Sequence, residues 1–224
     1  MDELIDASLA GLPSRRCLEG RLVTVVPLDV AEHAGALYEG THGEGSDLLW
    51  RFMGDGPFGD RDSFERSLSE KAASEDPLFF AIVDHRSGLA AGYASYLRIT
   101  PQHRVIEIGN IVFARCFQKT AGATEAMYLM ARYVFEDLDY RRYEWKCNAL
   151  HSGSRRAAAR LGFRFEGIFR QHMIVKNRNR DTAWFSMLDS EWPDRKATFE
   201  RWLDPSNFDG DGRQKESLSS WNVG

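Results

Sequence analysis

The run Gln118-Lys119-Thr120-Ala121-Gly122-Ala123-Thr124-Glu125-Ala126 has the residue types of an anion site. It follows a strand-like run, Ile106 to Phe113, and opens a helix-like run, Glu125 to Leu138. A helix N-terminus leaves backbone N–H groups without partners, and its aligned peptide dipoles add about half a positive charge. Gly122 and Ala123 carry almost no side chain, so a phosphate can approach those amides closely. Further along, residues 151–180 hold eight basic residues and one acid, on a chain whose net charge is −4. That local excess reads either as a polyanion site or as a solvated basic surface. The body of the chain is acidic, which argues against indiscriminate nucleic-acid binding. Arg155 and Arg156 fall in the first turn of a predicted short helix, where cations are disfavoured by about 0.3–1 kcal/mol each. Either an anion offsets this or both side chains point to water.

Other constellations carry less. Cys147 and His151 could form a thiol–imidazole pair, but Cys147 sits in an apolar run and reads as a buried strand residue. Asp209-Gly210-Asp211-Gly212 lacks the further ligands of a calcium loop. His33, His42, His85 and His103 are dispersed, so no metal site is expected. The three cysteines, Cys17, Cys116 and Cys147, form no C-x-x-C pair and point to a reducing, cytoplasmic setting. No apolar run approaches the roughly 18 residues of a membrane span, so no membrane partner is expected.

The elements that must position these residues follow from periodicity. Arg21–Leu28 reads as a first strand. Asp29 and Asp60 are N-cap candidates for helices reaching about Glu39 and Ser74, with a glycine-rich loop and a short helix between them. Leu78–Val83, Leu89–Arg98 and Val105–Phe113 read as a three-strand meander. The long helix Glu125–Leu138 follows, then a strand at Tyr143–Cys147 and a helix at Ser154–Leu161 ended by Gly162. Strands at Arg164–Val175 and Thr182–Leu188 and a helix at Glu191–Leu203 complete the order. This predicts an α/β (α+β) fold, with one mixed, mostly antiparallel sheet and helices on both faces. One domain over residues 20–203 is expected, between a loose arm (1–19) and a loose polar tail (204–224).

The runs I-E-I-G-N-I-V-F (106–113), Q-K-T-A-G-A (118–123) and H-S-G-S-R-R-A-A-A-R-L-G-F-R-F-E-G (151–167) resemble GNAT N-acetyltransferases. Within that superfamily the chain resembles the ribosomal-protein N-acetyltransferase branch, over about Leu18 to Leu203. The family's phosphate loop, Gln/Arg-x-x-Gly-x-Gly/Ala, is met by Gln118, Gly122 and Ala123, with Ala121 at the first glycine position. The family's Asn-x-x-Ser is met by His151 and Ser154.

The resemblance implies acetyl transfer from acetyl-CoA to an amine, either a small molecule or a protein N-terminus. It implies diphosphate contacts from the amides of Gly122, Ala123 and Thr124, with Gln118, His151, Ser154, Arg155 and Arg156 also on the cofactor. It assigns Ser154 as proton donor to the departing thiolate and the Val112 amide as donor to the thioester oxygen. Glu107 is the leading candidate base and His172 the second. Trp50, Phe52 and Phe58 would line the acceptor groove, with His172. No nucleic acid is expected, and the C-terminal strands would allow a homodimer. The competing expectation is a non-catalytic coenzyme-A-binding or RNA- or ribosome-contacting module on the same scaffold.

Overall fold

The computed structural model describes residues 8–221. Eight strands form one sheet in the order β1-β2-β3-β4-β5-β6-β8-β7. They are β1 (Leu18–Glu19), β2 (Val23–Pro27), β3 (Leu78–Asp84), β4 (Leu89–Thr100), β5 (Val105–Phe113), β6 (Arg142–Asn148), β7 (Arg164–Val175) and β8 (Arg178–Leu188). Every neighbouring pair is antiparallel except β5 and β6. The helices are α1 (Val30–Thr41), α2 (Asp47–Trp50), α3 (Arg61–Ala73), α4 (Ala121–Arg132), α5 (Ser152–Arg160) and α6 (Trp192–Leu203).

Side-chain alternation divides the core into two layers. Leu78, Phe80 and Ile82 of β3 join the layer built on α4 and α6, whereas Phe79 and Ala81 join the layer under α1 and α3. The helices therefore cover both faces. Asp29 and Asp60 cap α1 and α3, accepting from the amides of Glu32 and Ser63. Gly162, with φ +90, supplies the left-handed turn after α5.

Three expectations change. First, α4 begins at Ala121 rather than Glu125, because the Thr120 side chain caps it by accepting from the Ala123 amide at 3.1 Å. Second, the arm is not wholly loose. Residues 1–7 lie outside the described residues, but Leu18 and Glu19 pair with Val25 and Thr24 as an edge strand. Third, the tail is anchored. Leu218 is fully buried, and Phe208 packs edge-on against Trp202 at 5.2 Å. The Asn207 amide group donates to the carbonyls of Trp202 and Glu216. A polar average concealed these two apolar anchors.

Candidate functional site

The site begins where two strands part. β5 and β6 pair in parallel only from Val105↔Arg142 to Ile108↔Trp145. Beyond that point β5 continues to Phe113 and β6 to Asn148 without pairing, so a gap opens between them. β5 carries a bulge opposite β4, with the register shifting between Tyr93 and Ser95 and Asn110 at φ +51. The extra residue switches the faces that follow it. Ile106 and Ile108 belong to the α4 layer, yet Val112 is buried in the layer under α1 and α3.

The bulge corrects the expectation for Val112. Tyr93 stands opposite Val112, and the Ala114 N–H donates to the Ala91 carbonyl at 2.8 Å. Alternation along this ladder turns the Val112 amide towards β4 and the Phe113 amide towards the gap. Phe113, not Val112, is the residue of this strand end whose N–H the gap can use.

The first wall is the start of α4. Thr120 already occupies two of the expected amides: its Oγ1 accepts from Ala123 and its carbonyl from Thr124 at 3.4 Å. The open donors of this turn are instead Ala121 and Gly122, the first two residues of the helix. Gly122 is required by packing: a Cβ there would lie 2.9 Å from Phe117 and 3.1 Å from Val23. The Gln118 side chain donates to the Phe113 carbonyl at 3.1 Å and ties the loop to the strand end. Glu125 fixes the helix from below, accepting from the amides of Arg21, Leu22 and Val23 at 3.1, 2.6 and 3.0 Å.

The second wall is α5. His151 caps it in place of asparagine, Nδ1 accepting from the Ser154 amide at 3.4 Å. Its ring stacks on Phe52, with centroids 4.5 Å apart. Burial, and then Arg156, lowers its pKa, so the ring stays neutral and can accept. Ser154 Oγ accepts from Trp145 Nε1 at 3.0 Å. Arg156 and Arg160 line the cleft, and Arg160 Nη1 donates to Thr124 Oγ1 at 3.0 Å, joining the two walls. Arg155 does not line it: its guanidinium reaches the Ala149 carbonyl and lies 5.5 Å from the Phe165 ring centre. Both walls line one open cleft of 2180 Å³, which also runs past α1, the β3–β4 turn and the C-terminal tail.

The opposite face of the sheet carries a charged floor. Glu107 is buried and ion-paired with Lys146 Nζ at 2.9 Å and Arg98 Nε at 3.1 Å. Burial raises its carboxyl pKa, against the pull of the two cations. Lys146 lies 3.9 Å from the centre of the Trp184 ring and also pairs with Glu144. His172 turns inward because β7 bulges at Gln171 (φ +50), and its Nδ1 meets Thr182 Oγ1 at 2.9 Å.

The three aromatic candidates separate. Trp50 is a core residue, fully buried, its Nε1 donating to the Thr41 carbonyl at 3.0 Å. Phe58 packs edge-on against it at 5.3 Å. Phe52 alone reaches the cleft wall, through His151. Above them the tip of the β7–β8 hairpin closes down, with Lys176 Nζ donating to the carbonyls of Trp50, Asp55 and Gly56.

Sequence does not single out Arg98, Lys146 or Trp184, and it shows Arg180 only as one of the eight basic residues of 151–180. A signal existed in Tyr143-Glu144-Trp145-Lys146-Cys147, whose strict alternation places two charges on one strand face. Among the described residues no group of three or more His, Cys, Asp or Glu could hold a metal, and no helix is long and apolar enough to cross a membrane.

Residues 23–164 match the family model described as the acetyltransferase (GNAT) domain, and the chain belongs to that family. A GCN5-related N-acetyltransferase structure from Brucella melitensis is 46% identical, with a TM-score of 0.94 over 96% of this chain and 97% of that one. A GNAT-family structure from Chromobacterium violaceum is 38% identical, with a TM-score of 0.79 over 86% and 96%. Similarity to the ribosomal-protein branch is carried by a Bacillus subtilis protein named as a ribosomal N-acetyltransferase, YdaF. It is 28% identical over 49% of this chain, and the match spans 59% of that protein, less than two thirds of its length.

Proposed function

We propose that this protein transfers the acetyl group of acetyl-CoA to a primary amine by direct attack, both substrates being bound together. The observation that carries the reading is the gap between β5 and β6, with the Phe113 amide turned into it and the open amides of Ala121 and Gly122 beside it. In this reading those two amides, with Arg156 and Arg160, take the diphosphate end of the coenzyme. The residues present fit such a ligand: unpaired amide donors at the start of α4 and a basic wall beside them on the same open cleft. The Phe113 N–H donates to the thioester oxygen as negative charge develops there, a contribution of about 3–4 kcal/mol for such donors.

Ser154 is the assigned proton donor to the departing sulfur. Trp145 donates to its oxygen and the Cys147 thiol is a second hydrogen-bond partner, so the hydroxyl proton passes to the coenzyme sulfur in competition with Cys147. Glu107 is the assigned base, taking the amine's proton directly or through a water. An α-amine, with pKa near 7.7–8.0, needs far less help to become neutral than a lysine at about 10.4. An N-terminal or similarly weak amine is therefore the favoured acceptor class, in keeping with the ribosomal N-acetyltransferase name borne by the Bacillus subtilis relative.

The test is release of free coenzyme thiol from acetyl-CoA in the presence of an amine panel, with mass spectrometry of the products. The reading expects amine-dependent thiol release and one added acetyl group. Tight binding of coenzyme A without turnover on any amine would instead identify a binding module.

A further inference from the structure

The charged floor holds a guanidinium without an acid. Arg180 stands on β8 opposite Met173 and, by alternation, shares a face with Thr182 and Trp184. It is partly buried, and its Nε is buried with no hydrogen-bond partner. No carboxylate among the described residues forms an ion pair with it. The acids around it are already engaged: Glu107 by Lys146 and Arg98, and Glu144 by Arg142 and Lys146. Arg180 nonetheless lies within electrostatic reach of Glu107, Arg98 and Cys147, and His172 within reach of Arg98, Arg180 and Lys146. A second buried donor without a partner, Trp184 Nε1, lies on the same face.

Arg180 is only partly buried, so its outer nitrogens are the ones an incoming anion can meet, while the unpaired Nε leaves the guanidinium short of hydrogen-bond acceptors, a state that an anion from outside relieves. The ammonium form of an acceptor is repelled by these cations, which also favours the neutral amine that attacks. Resting on the acetyl-transfer reading above, we propose that the acceptor is an amine that also carries a carboxylate, and that Arg180 binds that carboxylate. Arg180 is thereby a specificity-determining residue. A free amino acid and a peptide with an acidic residue next to its N-terminus supply the same chemistry.

The test uses the full chain with acetyl-CoA and two matched acceptor pairs: aspartate against its diamide, and the peptide amides Ser-Asp-Ala against Ser-Asn-Ala. In one pair the acidic member should show at least tenfold higher kcat/KM, and which pair does so distinguishes the two sources. R180Q should collapse that ratio towards one, mainly through KM, and R180K should restore part of it. Calorimetry with glutarate in the presence of coenzyme A reads the anion site without turnover, and R180Q should weaken it at least tenfold. Equal rates within both pairs, or equal losses for both members in folded R180Q, would overturn the proposal. If no amine is acetylated but glutarate binding depends on Arg180, the anion site stands and the acetyl-transfer reading falls. If neither is seen, both fall.

Discussion

Ser154 illustrates how one side chain can serve fold and chemistry together. Its oxygen is the acceptor for the Trp145 indole, so replacing it with alanine removes a proton donor and also strands a partly buried N–H. Leaving such a donor unpaired costs about 1–3 kcal/mol. We therefore expect Ser154→Ala to lower both kcat and the melting temperature. The double variant with Trp145→Phe should recover stability but not rate, as read by thermal melts and thiol release. Recovery of both would assign Ser154 a structural role only. The same residue scale shows what spacing can reveal. Gln118 stands in the loop before α4 and Ser154 in the first turn of α5, both at the cleft wall. Val112 does not face the gap, because the bulge at Asn110 reverses the faces of β5 and is invisible in a one-dimensional pattern. Arg180 reads in sequence only as part of a basic cluster for a related reason: its isolation is defined by strands distant in sequence, whose pairing no local window contains.

At the scale of elements, the start of α4 is positioned by a single carboxylate. Glu125 satisfies three consecutive amides at the β1–β2 turn, so the turn and the helix behave as one unit. Glu125→Ala leaves those amides short of an acceptor. We expect a loss of about 1–3 kcal/mol or more of stability, with a raised KM for acetyl-CoA in whatever remains folded. Denaturant titration and steady-state kinetics check this. An unchanged midpoint would show that the turn finds water or another partner. The helices and most strands were legible in sequence because Asp29 and Asp60 are strong caps and β3 alternates cleanly between layers. α4 starts four residues before the pattern predicts, because Thr120 caps from within a run that reads as loop. The tail was misjudged because Phe208 and Leu218 are single anchors in a polar stretch.

For the whole molecule, four histidines couple the fold to pH. Burial lowers the pKa of His33, His42, His151 and His172 from the ordinary 6.5. The unfolded chain thus binds more protons than the folded one below that value, and stability rises with pH there. It is fully present above about pH 6.5 and is lost as pH falls towards the lowered folded values. Melting temperature should therefore drop between pH 7.5 and pH 5.5, and H151N, which restores an asparagine cap, should reduce the drop. A melting temperature that rises on acidification would contradict this assignment.

In the proposed function, the opening between β5 and β6 and the first turn of α4 together hold the acyl carrier. The most direct measurement is an NMR titration of the labelled protein with coenzyme A, following the backbone amides of Phe113, Ala121 and Gly122. Saturable shifts are expected at all three. Saturable binding that leaves those amides unmoved, with its shifts clustered elsewhere on the sheet, would contradict that placement of the carrier.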